Sequence, residues 1–233
     1  MARDNPGDSW AAVAAALPQD ARAERERPFW QALARSFGWR RVVDAGCGAG
    51  FHLRLLRAVG VNPVGFDAAL AALTGPVGAP VIGGDLLHPP LADGTFDAVL
   101  CLGNTFSLLA SRALQREGLA ALAGLLRPGG IVLLQGEHAG ALARETRVLR
   151  TRRLDSGAVH VRVFERVGRR VRMLAGVARD GVDAPLAATW LLPTSARVVT
   201  AMARGLGLAP VTLPAPPPGA GTAWWRAFSA PSP

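Results

Sequence analysis

The chain has no lysine, no tyrosine, only two isoleucines and only two cysteines, Cys47 and Cys101. Two thiols exclude a disulfide framework and suit a reducing compartment. Metal-ligand spacing is missing as well: His52, His88, His138 and His160 are scattered, with no CxxC or HxxxH pair, so no metal site is expected. Half of the residues are hydrophobic, yet Arg, Asp, Gly or Pro interrupts every run well short of the roughly 18 apolar residues that a membrane span needs. WAAVAAAL (10 to 17) is short and follows Asp4 and Asp8, unlike the basic start of an export signal. A cytoplasmic chain with no membrane partner is the expectation.

All 26 basic residues are arginine, and the net charge is +9. The excess is local. Between Arg144 and Gly181 eleven arginines face Glu145, Asp155, Glu165 and Asp180, which leaves little net charge for the rest. A nucleic-acid binder would spread its charge along one long face, so nucleic acid is disfavoured as a partner. The basic segment reads as a solvated sheet face, as an anchor for an anionic small molecule, or, third, as an RNA contact.

The pattern along the chain alternates strands with helices. Residues 1 to 40 read as helical, with Pro28 breaking the pattern before a segment in which Phe29, Trp30, Leu33 and Phe37 recur at helical spacing. Short strands are expected at Val42 and Val43, at 62–67, 80–85, 96–104 and 131–135. Helices are expected from Phe51 to a terminal Gly60 and from about Ser111 to Leu126, the second stopped by Arg127-Pro-Gly-Gly. Such alternation predicts an α/β fold with a doubly wound, mostly parallel sheet. After Ala143 the period drops to two, and Asp155-Ser-Gly, Val167-Gly168 and Asp180-Gly181 supply hairpin turns, so three or four antiparallel strands are expected as an insert. Residues 193 to 208 return to a helix capped by Thr194 or Ser195, and two last strands flank a proline-rich loop.

VVDAGCGAG (42 to 50) raises the question of chemistry. A dinucleotide turn wants G-x-G-x-x-G, but Gly46, Gly48 and Gly50 are spaced G-x-G-x-G and position 51 is Phe. An acid, Asp44, stands two residues before the first glycine, and a second, Asp67, ends the next strand. Glycines there permit positive φ and close approach of a ligand to the main chain, and an acid at a strand's carboxyl end can accept from both hydroxyls of a ribose.

With GGDLLHPPLADGTFDAVLC and the RPGG before strand five, this order resembles the class I S-adenosylmethionine-dependent methyltransferases over roughly residues 22 to 136. The resemblance implies a seven-stranded Rossmann-like sheet and S-adenosylmethionine as cofactor. It implies cofactor contacts from Arg22, Asp44, Ala45, Gly46, Cys47, Gly48, Gly50, Asp67, Asp85, Leu86 and Leu102. Asp67 would hold the ribose, Asp44 would orient the loop and the cofactor's ammonium, Asp85 the adenine amino group, and Arg22 (or Arg25 or Arg27) the carboxylate. CLGNTFSLL (101 to 109) is similar to the C-x-G-N-S stretch of the glycine and sarcosine N-methyltransferases and their small-molecule relatives, which implies an acceptor contact for Asn104.

Departures matter too. QGEHAGALARE follows strand five and tyrosine is absent, so glycine itself is not the expected acceptor. In-line methyl transfer needs positioning worth on the order of 7 to 11 kcal/mol, and a base only where the nucleophile is not already free. Glu137 and His138, just past strand five, are the candidate bases. One methyltransferase domain (1–233) is expected, divided into a helical cap (1–40), a cofactor-binding core (41–143), the β insert (144–192) and a C-terminal helix with two strands (193–233). The expected activity is methylation of a small-molecule acceptor, an amine first and an anionic one among the options. An RNA methyltransferase and a non-catalytic cofactor-binding relative are the alternatives, and a homodimer could be built through the insert. If strands one and four are neighbours, Cys47 and Cys101 both lie at the cofactor edge and both are expected to be reduced.

Overall fold

The computed structural model describes residues 13, 17, 19–70, 73, 77–137, 145–154, 156–179, 186–214, 216 and 223–232. Helix α1 (Asp20–Ser36) leads into β1 (Arg41–Ala45), α2 (Phe51–Ala58), β2 (Asn62–Asp67), β3 (Val81–Gly83) and β4 (Phe96–Cys101). A 3-10 turn (Thr105–Leu108), α3 (Arg112–Gly124) and β5 (Leu126–Gly136) follow. The insert is β6 (Arg147–Arg153), β7 (Val159–Val167), β8 (Arg170–Ala178) and β9 (Ala187–Leu191). Helix α4 (Ala196–Arg204), β10 (Ala209–Val211) and β11 (Trp224–Ser229) complete the order.

Seven strands form one sheet in the order β10-β11-β5-β4-β1-β2-β3, and β6 to β9 form a second, antiparallel sheet in sequence order. In the first sheet β1, β2, β3, β4 and β5 pair in parallel, while β11 runs antiparallel to β5 and to β10. This is the doubly wound sheet with an antiparallel insert after strand five that the sequence predicts.

Alternation of side chains builds two cores from the same strands. Val43, Val99, Cys101, Val132 and Leu134 point to one face, where they meet Leu119 and Leu122 of α3 and Val199 and Ala203 of α4. Val42, Ala98, Leu100, Ile131 and Leu133 point to the other, against Trp30 and Leu33 of α1 and Leu55 and Leu56 of α2.

Two local readings of the sequence are corrected. Pro28 does not break α1, which runs through it. The proline and Glu24, whose carbonyl loses its donor, both lie on the exposed face, while Glu26, Phe29, Trp30 and Leu33 hold the buried one. Arg127-Pro-Gly-Gly does not stop α3 but lies inside β5. Phe96 pairs with Leu126 and Ala98 with Ile131, so the segment bulges out of the ladder, and a Cβ at Gly130 would stand 2.9 Å from the Arg127 and Phe96 carbonyl oxygens. Strand β4 is also shorter than expected, because residues 102–104 turn away from the sheet.

Two ties hold the insert over the carboxyl edge of the main sheet. At its exit the Leu192 amide donates to the Ser107 carbonyl (2.7 Å), the buried Gln115 amide donates to the Leu192 carbonyl (3.1 Å), and Arg112 donates to the Pro193 carbonyl (2.7 Å). At the other side Arg150 of β6 and Arg162 of β7 donate to the two carboxylate oxygens of Glu137, at 2.6 and 3.0 Å.

Candidate active site

Four neighbouring parallel strands deliver their carboxyl ends to one place. The glycine turn follows β1, Asp67 ends β2, Leu102 to Asn104 follow β4, and Glu137 follows β5. Between them lies a cleft of about 450 Å³ whose walls include Arg22, Asp44, Gly46, Cys47, Gly48, Phe51, His52, Asp67, Leu102 and Asn104. Met173, Thr189 and Leu191 of the insert close it from above.

The turn is bent by Gly46, Gly48 and Gly50, at φ 73°, 50° and 73°, in the left-handed region that glycine alone enters at no cost. Main-chain bonds clamp it: the Gly46 and Cys47 amides both donate to the Phe66 carbonyl (2.8 and 3.1 Å). Asp67 pins the middle, because its Oδ2 accepts from the Gly48 amide and its Oδ1 from the Ala69 amide, each at 2.8 Å. Each oxygen keeps a further lone pair for a ligand.

Asp44 is buried, and its Oδ2 has no hydrogen-bond partner. Burial, then the charge of Asp67, raises its carboxyl from 3.8 to about 7, against the smaller pull of Arg22. His52 Nδ1 stands 4.0 Å away, but burial and the nearby Arg22 hold this imidazole well below its usual range, so it is neutral and forms no ion pair. Arg22 is oriented by Glu26 (2.7 Å), lies 3.8 Å over the Phe51 ring, and places Nη2 3.4 Å from His52 Nε2. An unpaired buried acid beside a cradle of bare main chain fits a ligand that brings its own cation and lies close against the backbone.

A linked pH dependence follows. Asp44 in the folded chain holds a proton that the unfolded chain has lost, so its stabilising contribution is full below 3.8 and is lost as pH rises through about 7. A cationic ligand pairs with the ionised form, so its affinity should fall below pH 7, approaching tenfold per pH unit. Calorimetry with S-adenosylhomocysteine, which carries the ammonium, in buffers from pH 5.5 to 8.5 should show proton release on binding near pH 6.5; a flat profile would remove Asp44 from the contact.

Asn104 is the one non-glycine residue with positive φ (72°) among the described residues. Asparagine is among the few residues other than glycine that adopt this backbone readily. The Asn104 Oδ1 accepts from the Glu137 amide at 2.7 Å, so its NH2 group is left to donate elsewhere. Asn104 also belongs to a second cleft of about 390 Å³, which shares Arg22, His52, Leu102 and Gly103 with the first and continues past Gln135, Glu137 and Trp225 under Arg150, Arg152, His160 and Arg162.

Of the residues expected at the site, Arg22, Asp44, Gly46, Cys47, Gly48, Asp67, Leu102 and Asn104 line the first cleft, and Glu137 lines the second. Gly50 caps α2, where a Cβ would stand 2.2 Å from Val77, and Ala45 is buried within β1. Asp85 and Leu86 line neither cleft. The exposed Asp85 carboxylate accepts from the Leu87 amide (2.6 Å), closing its own turn, and Leu86 drops into the core. His138 lies outside the described residues. Cys47, in the turn after β1, and Cys101, at the end of the adjacent β4, are buried free thiols, and burial together with the nearby acids pushes Cys47 up to about 12, which keeps it unreactive.

Sequence reading missed Arg150 and Arg162 as walls of the site, although alternation within β6 and β7 puts Arg150, Arg152, His160 and Arg162 on one face. Arg147 and Arg172 fall on the other face, both within 4 Å of Glu165.

A seven-stranded sheet of this order, a glycine cradle after β1 and an acid ending β2 define the class I methyltransferase fold. Residues 43–134 match the family model of the methyltransferase domain. Among relatives, the chain is 34% identical over 124 residues to a glycine/sarcosine N-methyltransferase of Parasynechococcus marenigrum (strain WH8102), covering 49% of this chain and 44% of that one. It spans less than half the length of the curated relatives it matches. The methyltransferase CcbJ of Streptomyces caelestis superposes with a TM-score of 0.76 over 97% of this chain and 98% of its own, at 20% identity. CalS10 of Micromonospora echinaspora, an amino pentose methyltransferase solved with S-adenosylmethionine bound, superposes with a TM-score of 0.68 over 93% of each chain, at 24% identity.

Proposed function

We propose that this chain transfers a methyl group from S-adenosylmethionine to the amine of a small-molecule acceptor. The observation that carries the reading is the junction of two clefts at Leu102, Gly103 and Asn104: one has the features of a sulfonium cofactor's cradle, the other is roofed by the insert. The name of the glycine/sarcosine relative supports an amine acceptor.

Asp67 would hold the ribose, Asp44 the ammonium, Arg22 the carboxylate, and the turn from Gly46 to Gly48 the main body of the cofactor. When bound, that cofactor supplies an electrophilic methyl on a positively charged sulfur. The protein's own contribution is alignment. Asn104 donates its NH2 group to the acceptor at the junction, and Met173 and Leu191 help exclude water from above. Glu137 acts as a positioning residue rather than a base, since both its oxygens already accept from arginines and its amide fixes Asn104. The amine loses its proton to water before it reacts, as ordinary alkylamines can at mildly alkaline pH.

Calorimetry with S-adenosylhomocysteine and methyl transfer to a panel of amines, alcohols and carboxylates test the reading. One bound cofactor and turnover restricted to amines are expected; binding without turnover on any acceptor would make the chain a binding module. Asn104 separates its two roles in the same assay. Asn104→Gly suits the left-handed backbone but removes the side chain and the oxygen that accepts from the Glu137 amide. Stability should fall by about 1 kcal/mol for the lost hydrogen bond, while kcat/KM falls at least tenfold; glycine retaining full activity would assign the position to backbone shape alone.

A further inference from the structure

We propose that the second cleft recognises an oxyanion on the acceptor, a carboxylate or a phosphoryl group, and that Arg150 and Arg162 of the insert grip it. The inference rests on the proposed function for the word acceptor, but the anion site itself stands on the geometry of the roof.

Arg150 and Arg162 are directly paired across β6 and β7, so their side chains leave the same face of the sheet side by side. Both reach down to one carboxylate, that of Glu137, and each guanidinium spends one donor nitrogen on it. A guanidinium has five N–H donors, so each keeps others for a second partner. Their remaining exposure is about a third or less, 26% and 34%, so an anion meeting them is largely desolvated. Arg152 and His160 pair next along the same two strands and line the same cleft.

The charges of this wall do not balance. Arg22 pairs with Glu26, whereas Arg150 and Arg162 share the single carboxylate of Glu137, two cations on one anion. His160 registers that field: burial, then Arg162 and Arg152, lower its imidazole to about 4, so it is neutral and offers a polar edge without adding charge. The outer arginines of the insert differ, since Arg147 and Arg172 share Glu165 on the opposite face. Arg150 and Arg162 thus face a concave site, which suits a small anion better than a strand of RNA.

The contacts that run from Asn104 through Glu137 to the arginines orient the acceptor. The junction with the cofactor's cleft is at Asn104, whereas the arginines lie beyond Glu137 on the roof. An acceptor that reaches both carries its amine toward Asn104 and its anionic group toward the arginines.

The test is titration of the protein, with and without saturating S-adenosylhomocysteine, with inorganic pyrophosphate and separately with succinate, at low ionic strength. Arg150→Gln and Arg162→Gln should each weaken binding of the preferred anion about tenfold, the loss expected for one charge-assisted hydrogen bond. Glu137→Gln should tighten it, because it removes the competing carboxylate. The arm that binds tighter tells a phosphoryl site from a carboxylate site. Circular dichroism of each variant separates a lost contact from a lost fold, and Arg162→Lys supplies a charge-conserving substitute with partial affinity. Anion affinity unchanged in both arginine variants, no binding of either anion to the wild type, or weaker binding in Glu137→Gln would each overturn the inference. Loss of S-adenosylhomocysteine binding in the wild type would instead sink the proposed function and leave the anion result readable in the cofactor-free titration.

Discussion

Asp67→Ala should bind S-adenosylhomocysteine at least a hundredfold more weakly than the wild type. Two kinds of contact disappear together. The carboxylate offers the lone pairs that a ribose diol would occupy, and hydrogen bonds to a charged group are worth about 1.5 to 3 kcal/mol each. It also holds the cradle itself, because Oδ2 accepts from the Gly48 amide and Oδ1 from the Ala69 amide. The substitution has a second signature in the titration of Asp44, whose carboxyl is raised partly by the charge of Asp67. Removing that charge should move the pH midpoint of cofactor binding toward acid. Asp67→Asn should fall between, since its carbonyl oxygen can still accept from Gly48. Calorimetry across pH measures both effects, and an affinity for Asp67→Ala within threefold of wild type would rule out the assigned cradle.

Gly46→Ala should cost the fold itself on the order of 3 kcal/mol, from left-handed strain of roughly 1 to 2 kcal/mol and an overpacking penalty of similar size. The new Cβ would stand 2.2 Å from Thr105 Cγ2. Neither side can yield: the Gly46 amide is bonded to the Phe66 carbonyl, and the Thr105 hydroxyl donates to the Leu102 carbonyl at 2.7 Å. For a chain of this length such a loss lowers Tm by about 10 °C. Gly48→Ala is the control, because its φ is 50° but nothing lies within 4 Å of the added carbon. It should lose only about 1 kcal/mol of stability while still weakening the cofactor, whose path the methyl obstructs. Thermal unfolding and calorimetry on the two variants distinguish a packing role at 46 from a ligand-facing role at 48; equal stability losses would refute the distinction.

The parts of the site that the sequence made legible are those fixed by neighbouring residues. The glycine turn, Asp67 at a strand end and Asn104 after β4 each announce a local conformation that their residue types require, and the structure brings all three to one cleft. The Rossmann-like sheet was legible for the same reason, since β1 and β4 are apolar runs buried on both faces. Pairing at a distance was not legible. The bulge at Arg127 to Gly130 depends on the register between β4 and β5, and the continuity of α1 through Pro28 depends on which side of the helix meets the core. Arg150 and Arg162 read as members of a basic segment, and only the pairing of β6 with β7 shows that they share one face and converge on Glu137. Asp85 is expected from the resemblance to meet an adenine amino group, and what the sequence does not show is that its carboxylate also closes its own loop by accepting from the Leu87 amide.

The two ties of the insert answer differently to dissolved electrolyte. The bonds at Ser107 and the buried Gln115 are between uncharged groups, so brine leaves them intact. The grip of Arg150 and Arg162 on Glu137 is coulombic and only partly buried, so mobile ions weaken it, though less than they would an open surface pair. The canopy is thus fastened along one margin mainly by bonds indifferent to salt, and along the other by a grip that the counterion atmosphere can loosen.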